Sequence, residues 1–431
     1  MWRSLGAGAG LLLPVGCDSD PMGTDAGAMT PDAGPPVMTD AGPSPADFRG
    51  VTKGPWVQLL SPGRARLRFE TRIDEPVPVR IERAGGTDEP SADRSVAVID
   101  YERDALMMED RLPDYPGQHV LHDVVFEGLE PGEALSWTVT PEVGDAISGS
   151  FTAPVAPDAG FTFGWIADTS VPFCDPSIAA LESAEPHLVL HGGDITYQAN
   201  PYDTWNGLTR SFGPLFRRAP VHFTLGNHES DAEHEIDQMF DRLMGDQGDE
   251  GGSARFFAYT YGGVRFIHLD TETGSIVDDD DGQLAWLDAE LDAQRGDPDI
   301  LYPIVVFHRP TYTFSKHAPG NLATRMALHE RFLEYGVPLV FAGHAHCYER
   351  FLVDGVHYVT DGSGGAALYD PNEDRDEVAA MRPDEIALRQ AVFREHGCTA
   401  TEVAPDGGLT VTRYAADDAS VQDMVVIAAP A

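Results

Sequence analysis

Five runs of apolar or β-branched residues along the second half of this chain each lead into a residue type that binds metals. The motifs are Ala167-Asp168-Thr169-Ser170, Gly193-Asp194-Ile195-Thr196-Tyr197, Gly226-Asn227-His228-Glu229, Val305-Val306-Phe307-His308 and Gly343-His344-Ala345-His346. Each reads as a strand end. In layered α/β sheets the loops beyond the carboxyl ends of the strands face a shared crevice. The pattern therefore predicts that Asp168, Asp194, Tyr197, Asn227, His308, His344 and His346 meet there. Oxygen and imidazole donors in that number are a ligand set for two metal ions. Each motif alone is weak, because a single Asp at a strand end is usually a turn former. The weight lies in five of them occurring in order.

The rest of the chain divides by composition. Residues 18–47 carry Asp-Ala-Gly at 25, 32 and 40, with Pro, Thr, Ser and Met between, and no apolar periodicity. Such a stretch cannot bury a core and reads as an extended, self-repelling acidic tether. Residues 48–155 alternate like strands: Ala65–Glu70, Val77–Ile81, Ser95–Ile99, His119–Phe126, Leu135–Thr140 and Ala146–Ala153. Turn signals at Pro62-Gly63, Gly85-Gly86 and Pro131-Gly132 separate them. With no helical pattern among them, this part is expected to be a β-sandwich.

From 158 to 431 strands alternate with helices. Helical spacing is read over Ser177–Ala184, Tyr202–Phe216, Ala232–Leu243, Gln283–Leu291 and Leu322–Tyr335, and Gly262-Gly263 predicts a tight hairpin. The expected class is a layered α/β domain with mixed sheets flanked by helices, preceded by the all-β sandwich.

The formal net charge is −41. That field disfavours nucleic acid and anionic membrane surfaces as partners. It would also repel a phosphate ester unless bound cations reverse the sign locally. Cys17, Cys174, Cys347 and Cys398 include no C-x-x-C pair, which argues against a cysteine zinc site, and they are too few for a disulfide scaffold. Residues 1–17 read as a targeting segment: Arg3, then a short apolar stretch from Leu5 to Val15, too short to span a bilayer. Val15-Gly16-Cys17 resembles the end of a bacterial lipoprotein signal, with Pro14 departing from that pattern. A lipid on Cys17 would be the chain's one link to a membrane, making it an extracytoplasmic cell-envelope lipoprotein. A plain secretory signal is the alternative.

Together the five motifs resemble the purple acid phosphatases of the calcineurin-like metallophosphoesterase superfamily. Trp56, the Gly128-Leu129-Glu130-Pro131-Gly132 turn and Phe151-Thr152-Ala153-Pro154 resemble the fibronectin type III-like domain that precedes the catalytic domain in many of them. The resemblance implies phosphate monoester hydrolysis by a metal-activated hydroxide, on a small phosphate-ester substrate. It implies Asp194 as the bridge between two ions, with Asp168, Tyr197 and His346 on the first and Asn227, His308 and His344 on the second. It further implies ferric iron on Tyr197 beside a divalent zinc, iron or manganese. Hard oxygen donors suit a trivalent ion, and imidazole with amide suits a borderline divalent one. His228 is implied as the group that binds phosphate and protonates the leaving group, and His317 as a substrate-facing residue. Ala318 stands where the family pattern has a second such histidine, and Ser170 where the first motif usually has Gly. A phosphodiesterase or nucleotide hydrolase using the same site, and a non-catalytic surface-binding lipoprotein, are the competing readings.

Overall fold

The computed structural model describes residues 48–99, 117–197, 205–231, 236–249, 253–272, 276 and 282–429. The signal-like segment with Cys17, the 18–47 tether and the first residues of the helical patterns beginning at Tyr202 and Ala232 lie outside these. Among the described residues, the first part of the chain forms eight strands: β1 (Val51–Ser61), β2 (Arg64–Thr71), β3 (Val79–Arg83), β4 (Gly86–Asp88), β5 (Asp93–Ile99), β6 (Gly117–Glu127), β7 (Ala134–Val139) and β8 (Ile147–Thr152). They make two four-stranded sheets, β1-β2-β6-β5 and β4-β3-β7-β8. Leu67, Phe69, Val124 and Phe126 of one and Ile81, Trp137 and Phe151 of the other share a core, with the Phe126 and Phe151 rings 5.8 Å apart.

Strand β1 has no alternating pattern, and the structure explains why. It is buried on both faces. Val57 and Leu59 point into the sandwich core, while Trp56 turns the other way and packs 6.2 Å from the Phe216 ring of the α/β part. A strand with no wet face carries no polar alternation.

The α/β part holds two further sheets. One has the order β11-β10-β9-β19-β20-β21, with β9 (Phe161–Ile166), β10 (Leu188–His191) and β11 (Val221–Phe223) parallel. Antiparallel strands β19 (Gly397–Val403), β20 (Leu409–Ala415) and β21 (Val421–Ile427) extend it. The other has the order β12-β13-β14-β15-β17-β16-β18: β12 (Phe257–Tyr261), β13 (Val264–His268), β14 (Tyr302–Phe307), β15 (Leu339–Ala342), β16 (Tyr348–Val353), β17 (Val356–Asp361) and β18 (Arg389–Phe393). The β12–β13 hairpin turns at Gly262-Gly263, with Tyr261 opposite Val264. The two sheets meet face to face: Trp165 stacks on Phe341 at 4.9 Å, and Phe163 meets Phe266 edge-on at 5.1 Å.

Helices cover the outer faces. Helix α1 (Asp175–Ser183) buries Ile178 and Leu181 in a cluster with Val189 and Val221, and α2 (Trp205–Ser211), α3 (Gly213–Phe216) and α4 (Ile236–Met244) join it. On the second sheet, α5 (Gln283–Arg295) and α6 (Leu322–Glu334) pack Leu287, Leu291, Leu328 and Phe332 against Val305 and Phe307. The β16–β17 hairpin and helix α7 (Arg375–Met381) were not anticipated from pattern. Among the described residues no helix is long and apolar enough to cross a membrane. Cys174, Cys347 and Cys398 are buried and unbridged.

Candidate metal centre

The five motifs fall just past the carboxyl ends of parallel strands in both sheets: Asp168 after β9, Asp194 and Tyr197 after β10, Asn227 after β11, His308 after β14, and His344 and His346 after β15. The packed sheets thus aim two sets of strand ends at one point. Asp168, Asp194 and His344 have φ of 57°, 49° and 66°, a left-handed backbone that disfavours residues with a Cβ. Such strain persists only where surrounding bonds fix it. Here Asp168 N donates to Gly193 O at 3.0 Å, Thr169 N to Asp194 O at 2.9 Å, and His344 N to Asp168 Oδ2 at 2.8 Å. Gly226 answers a close approach, because a Cβ there would lie 2.1 Å from Asp194 N.

All seven expected donors come together. His308 Nε2 stands 3.2 Å from Asn227 Oδ1, 3.3 Å from Asp194 Oδ1 and 3.2 Å from His344 Nδ1. Tyr197 Oη lies 2.9 Å from Asp168 Oδ1 and 2.8 Å from His346 Nε2. Two trios, Asp194–His308–His344 and Asp168–Asp194–His346, each have their ligand atoms within 4.8 Å of one another, and Asp194 belongs to both. Backbone carbonyls set two of the rings. His308 Nδ1 is 2.9 Å from Gly192 O and His346 Nδ1 is 2.7 Å from Ala367 O. A carbonyl only accepts, so each Nδ1 carries a proton and each Nε2 is turned to the centre.

The protein's own charges leave this cluster short of positive charge. Burial pushes the Asp194 carboxyl up, but His308, His228 and His344 outweigh it and hold it well below the usual range. Burial likewise opposes a charge on His308, yet Asp194 raises that imidazole to about 10. Burial, then Asp168 and Asp194, push the Tyr197 phenol well above 10, so only a cation at its oxygen can favour the phenolate. Burial, then His317 and His308, keep His344 neutral. Two buried carboxylates, a phenol, the neutral imidazole of His344 and the inward Nε2 atoms of His308 and His346 are a donor set that fits two cations, one of which would replace the proton that Asp194 holds on His308.

His228 sits at the rim, its side chain 29% exposed, its ring 4.3 Å from that of Tyr197 and its Nε2 3.8 Å from Asp194 Oδ2. His317 is half-buried, with its ring 4.0 Å from that of His344.

Several supporting residues were not assigned from sequence. Glu229, buried, accepts from Ile195 N at 2.8 Å and Gly226 N at 3.1 Å, tying the Asp194 and Asn227 loops together. Burial and then Asp194 raise its carboxyl to about 8. His191 accepts from Gly193 N and stands 3.0 Å from Thr169 Oγ1, which donates to Ile195 O. Burial lowers that imidazole to about 3. Tyr369 stacks on His346 at 4.0 Å, and Arg309 Nη1 reaches His344 Nε2 at 3.2 Å. Glu229, within the Asn227 motif, and Arg309, next to His308, carried a local signal; Tyr369 carried none. Cys347, beside His346, is a buried thiol pushed up by burial. The Gly-rich segment after Asp361 packs by backbone against the first motif, Gly364 N donating to Ala167 O at 2.9 Å and Ala366 N to Asp168 O at 3.0 Å.

Residues 162–348 match the family model for calcineurin-like phosphoesterases. The chain is 26% identical over 293 residues to purple acid phosphatase 23 of Arabidopsis thaliana, covering 57% of this chain and 62% of that protein. It is 29% identical over 229 residues to a phosphoenolpyruvate phosphatase of Allium cepa, covering 48% and 46%. The chain thus spans less than two thirds of the length of these curated relatives. Among solved structures, purple acid phosphatase PPD1 from yellow lupin (Lupinus luteus) seeds superposes with a TM-score of 0.68 at 16% identity, over 87% of this chain and 74% of that one. PhoD superposes at 0.56 and 13% identity, over 86% and 88%. At these identities the likeness is one of fold.

Proposed function

With residues 162–348 a calcineurin-like phosphoesterase domain, we propose that the chain is a metal-dependent phosphate ester hydrolase that acts on small monoesters through a dinuclear centre of the purple acid phosphatase kind. The observation that carries this reading is the pair of buried ligand trios sharing Asp194. Asp168, Tyr197 and His346 would hold one ion, Asn227, His308 and His344 the other, and Asp194 both. When bound, such a pair acidifies water and neutralises charge on phosphoryl oxygens. Tyr197 favours ferric iron at the first position, and the imidazole-rich second suits zinc, iron or manganese.

The chain's own groups supply the rest. His228 is at the rim, where an imidazole can give a proton to the departing oxygen of the ester. His317, against His344, lies where it can face the substrate. Two bound cations would answer the charge problem, because a chain at −41 admits an anion only where cations dominate locally. We further propose that a lipid on Cys17 holds the enzyme to the cell envelope, with residues 18–47 as the tether.

The test is metal analysis of the purified chain with its visible spectrum, alongside hydrolysis of a monoester and a diester. Two ions per chain, a phenolate-to-iron band and preference for the monoester are expected. A colourless protein fully active with two zinc or manganese ions would remove the iron assignment alone. Failure to bind any ion would remove the whole reading.

A further inference from the structure

Strand β11, whose end presents Asn227, is the edge of its sheet. An edge strand leaves alternate backbone groups without a ladder partner, and buried ones must find partners elsewhere. On the inner side Val189 N donates to Pro220 O and Thr224 N to His191 O. On the outer side a side chain replaces the missing strand. Phe223 N donates to Gln247 Oε1 at 3.0 Å, and Gln247 Nε2 donates to Phe223 O at 2.8 Å. Gln247 is in turn held by the sandwich: Gln58 Nε2 of β1 donates to its Oε1 at 3.0 Å, and Arg66 Nε of β2 donates to Gln58 Oε1 at 2.9 Å. One residue along β1, Leu59 N donates to His222 Nε2 at 3.2 Å, and the His222 ring stacks on Tyr259 at 3.8 Å. Gln58, Leu59, His222 and Gln247 are all fully buried.

We infer that the N-terminal sandwich sets the affinity of the second metal position. Gln58 and Gln247 act as positioning residues for the Asn227 arm. The chain of contacts is short: Gln58 orients the Gln247 amide, the amide pins Phe223, and Phe223 lies four residues before Asn227. The first position has no such dependence, because Asp168 and His346 follow β9 and β15, interior strands paired on both sides by backbone. An amide fits this role because it sets a donor beside an acceptor at the spacing a strand residue would, and its second N–H, donated to Ala254 O, anchors it. Neither a carboxylate nor an ammonium can do that. The inference rests on Asn227 being a metal ligand, and the experiment separates the two claims.

Full-length apoprotein is titrated with Zn²⁺ alone by calorimetry, and the step lost in Asn227→Ala identifies the second position. Gln58→Leu leaves both Gln247–Phe223 bonds and the Gln247 Nε2–Ala254 O bond in place, removes the Gln58 hold on the Gln247 amide, and also takes the acceptor from Arg66 Nε, a cost that falls within the sandwich and is read in the melting temperature. Supporting partners of ligands typically change metal affinity by about 10- to 100-fold. Gln58→Leu should therefore weaken the second step about ten-fold and leave the first unchanged within about two-fold, with Gln247→Leu stronger where it folds. Leu135→Ala, in the sandwich core and away from β11, controls for general destabilisation through its melting temperature. Equal weakening of both steps, or a second-step loss in Leu135→Ala matching that in Gln58→Leu, overturns the inference. Wild-type protein that binds no zinc overturns the reading of Asn227, and the inference with it.

Discussion

Acid should unfold this protein through histidines that are buried neutral, and His122 isolates the effect because it lies in the sandwich, away from the metal centre. Its ring stacks on Phe69 at 4.5 Å, and its Nε2 stands 2.9 Å from Thr71 Oγ1. The Thr71 hydroxyl donates to Ile73 O, so Nε2–H is the donor, and buried Nδ1 faces no partner. A second proton would sit there without an acceptor. Burial, then Arg94, lower the imidazole to about 4. The ordinary value in an unfolded chain is about 6.5.

The sign follows from linkage. Between about 6.5 and about 4 the unfolded chain binds the proton and the folded one does not, so stability is full above this window and falls as pH falls through it. At pH 5 the gap is about 1.5 units, or about 2 kcal/mol. His268 at about 3 and His357 at about 4, both lowered by burial first, act in the same direction. Three such groups remove about 6 kcal/mol by pH 5, on the order of a domain's whole stability.

The assay is urea unfolding followed by tryptophan fluorescence at pH 7, 6 and 5, for wild type and His122→Phe. The variant loses the Thr71 hydrogen bond, so it should be about 1 kcal/mol less stable at pH 7. It should gain about 2 kcal/mol relative to wild type on going to pH 5, so the two stability curves cross. Metal release in acid affects both proteins alike and cancels in the difference. Parallel curves would refute the argument that His122 is held neutral by burial.

Three further outcomes are expected. Asp194→Asn should lose both ions together, as read by metal content, because one residue belongs to both trios; a variant that keeps two ions and near-normal turnover would exclude a bridging role. His228→Ala should keep its metals but lose turnover, by about 10²-fold or more for esters with poor leaving groups and less for good ones. Equal losses across leaving groups would leave it a phosphate-binding role only. Cys17→Ser should move activity from a detergent-released membrane fraction to an unprocessed or soluble form, whereas activity free in the medium from both forms would show a plain secretory signal.

Much of the fold was legible because its signals are local. Strand alternation in the sandwich, the Gly262-Gly263 hairpin and helical spacing in α5 and α6 depend on residues a few positions apart and one wet face. Strand β1 escaped because it has no wet face, and hairpin β16–β17 escaped because its strands are almost wholly buried. At the site, Glu229 had a motif to point to it. Tyr369 had none, since it comes 23 residues after His346 and meets that ring only through folding.

The sequence by itself determined which donors exist, in what order, and that each stands at a strand end. Residue type and strand patterning are properties of short stretches, and they need no partner. Only the tertiary structure decided that two separate sheets point these ends at one place and that Asp194 is common to both trios. It also decided which nitrogens of His308 and His346 face inward, because carbonyls distant in sequence make that choice. The seal that Gln58 and Gln247 form over the edge of β11 is of the same kind. It joins residues 189 positions apart, and nothing in either neighbourhood records the other.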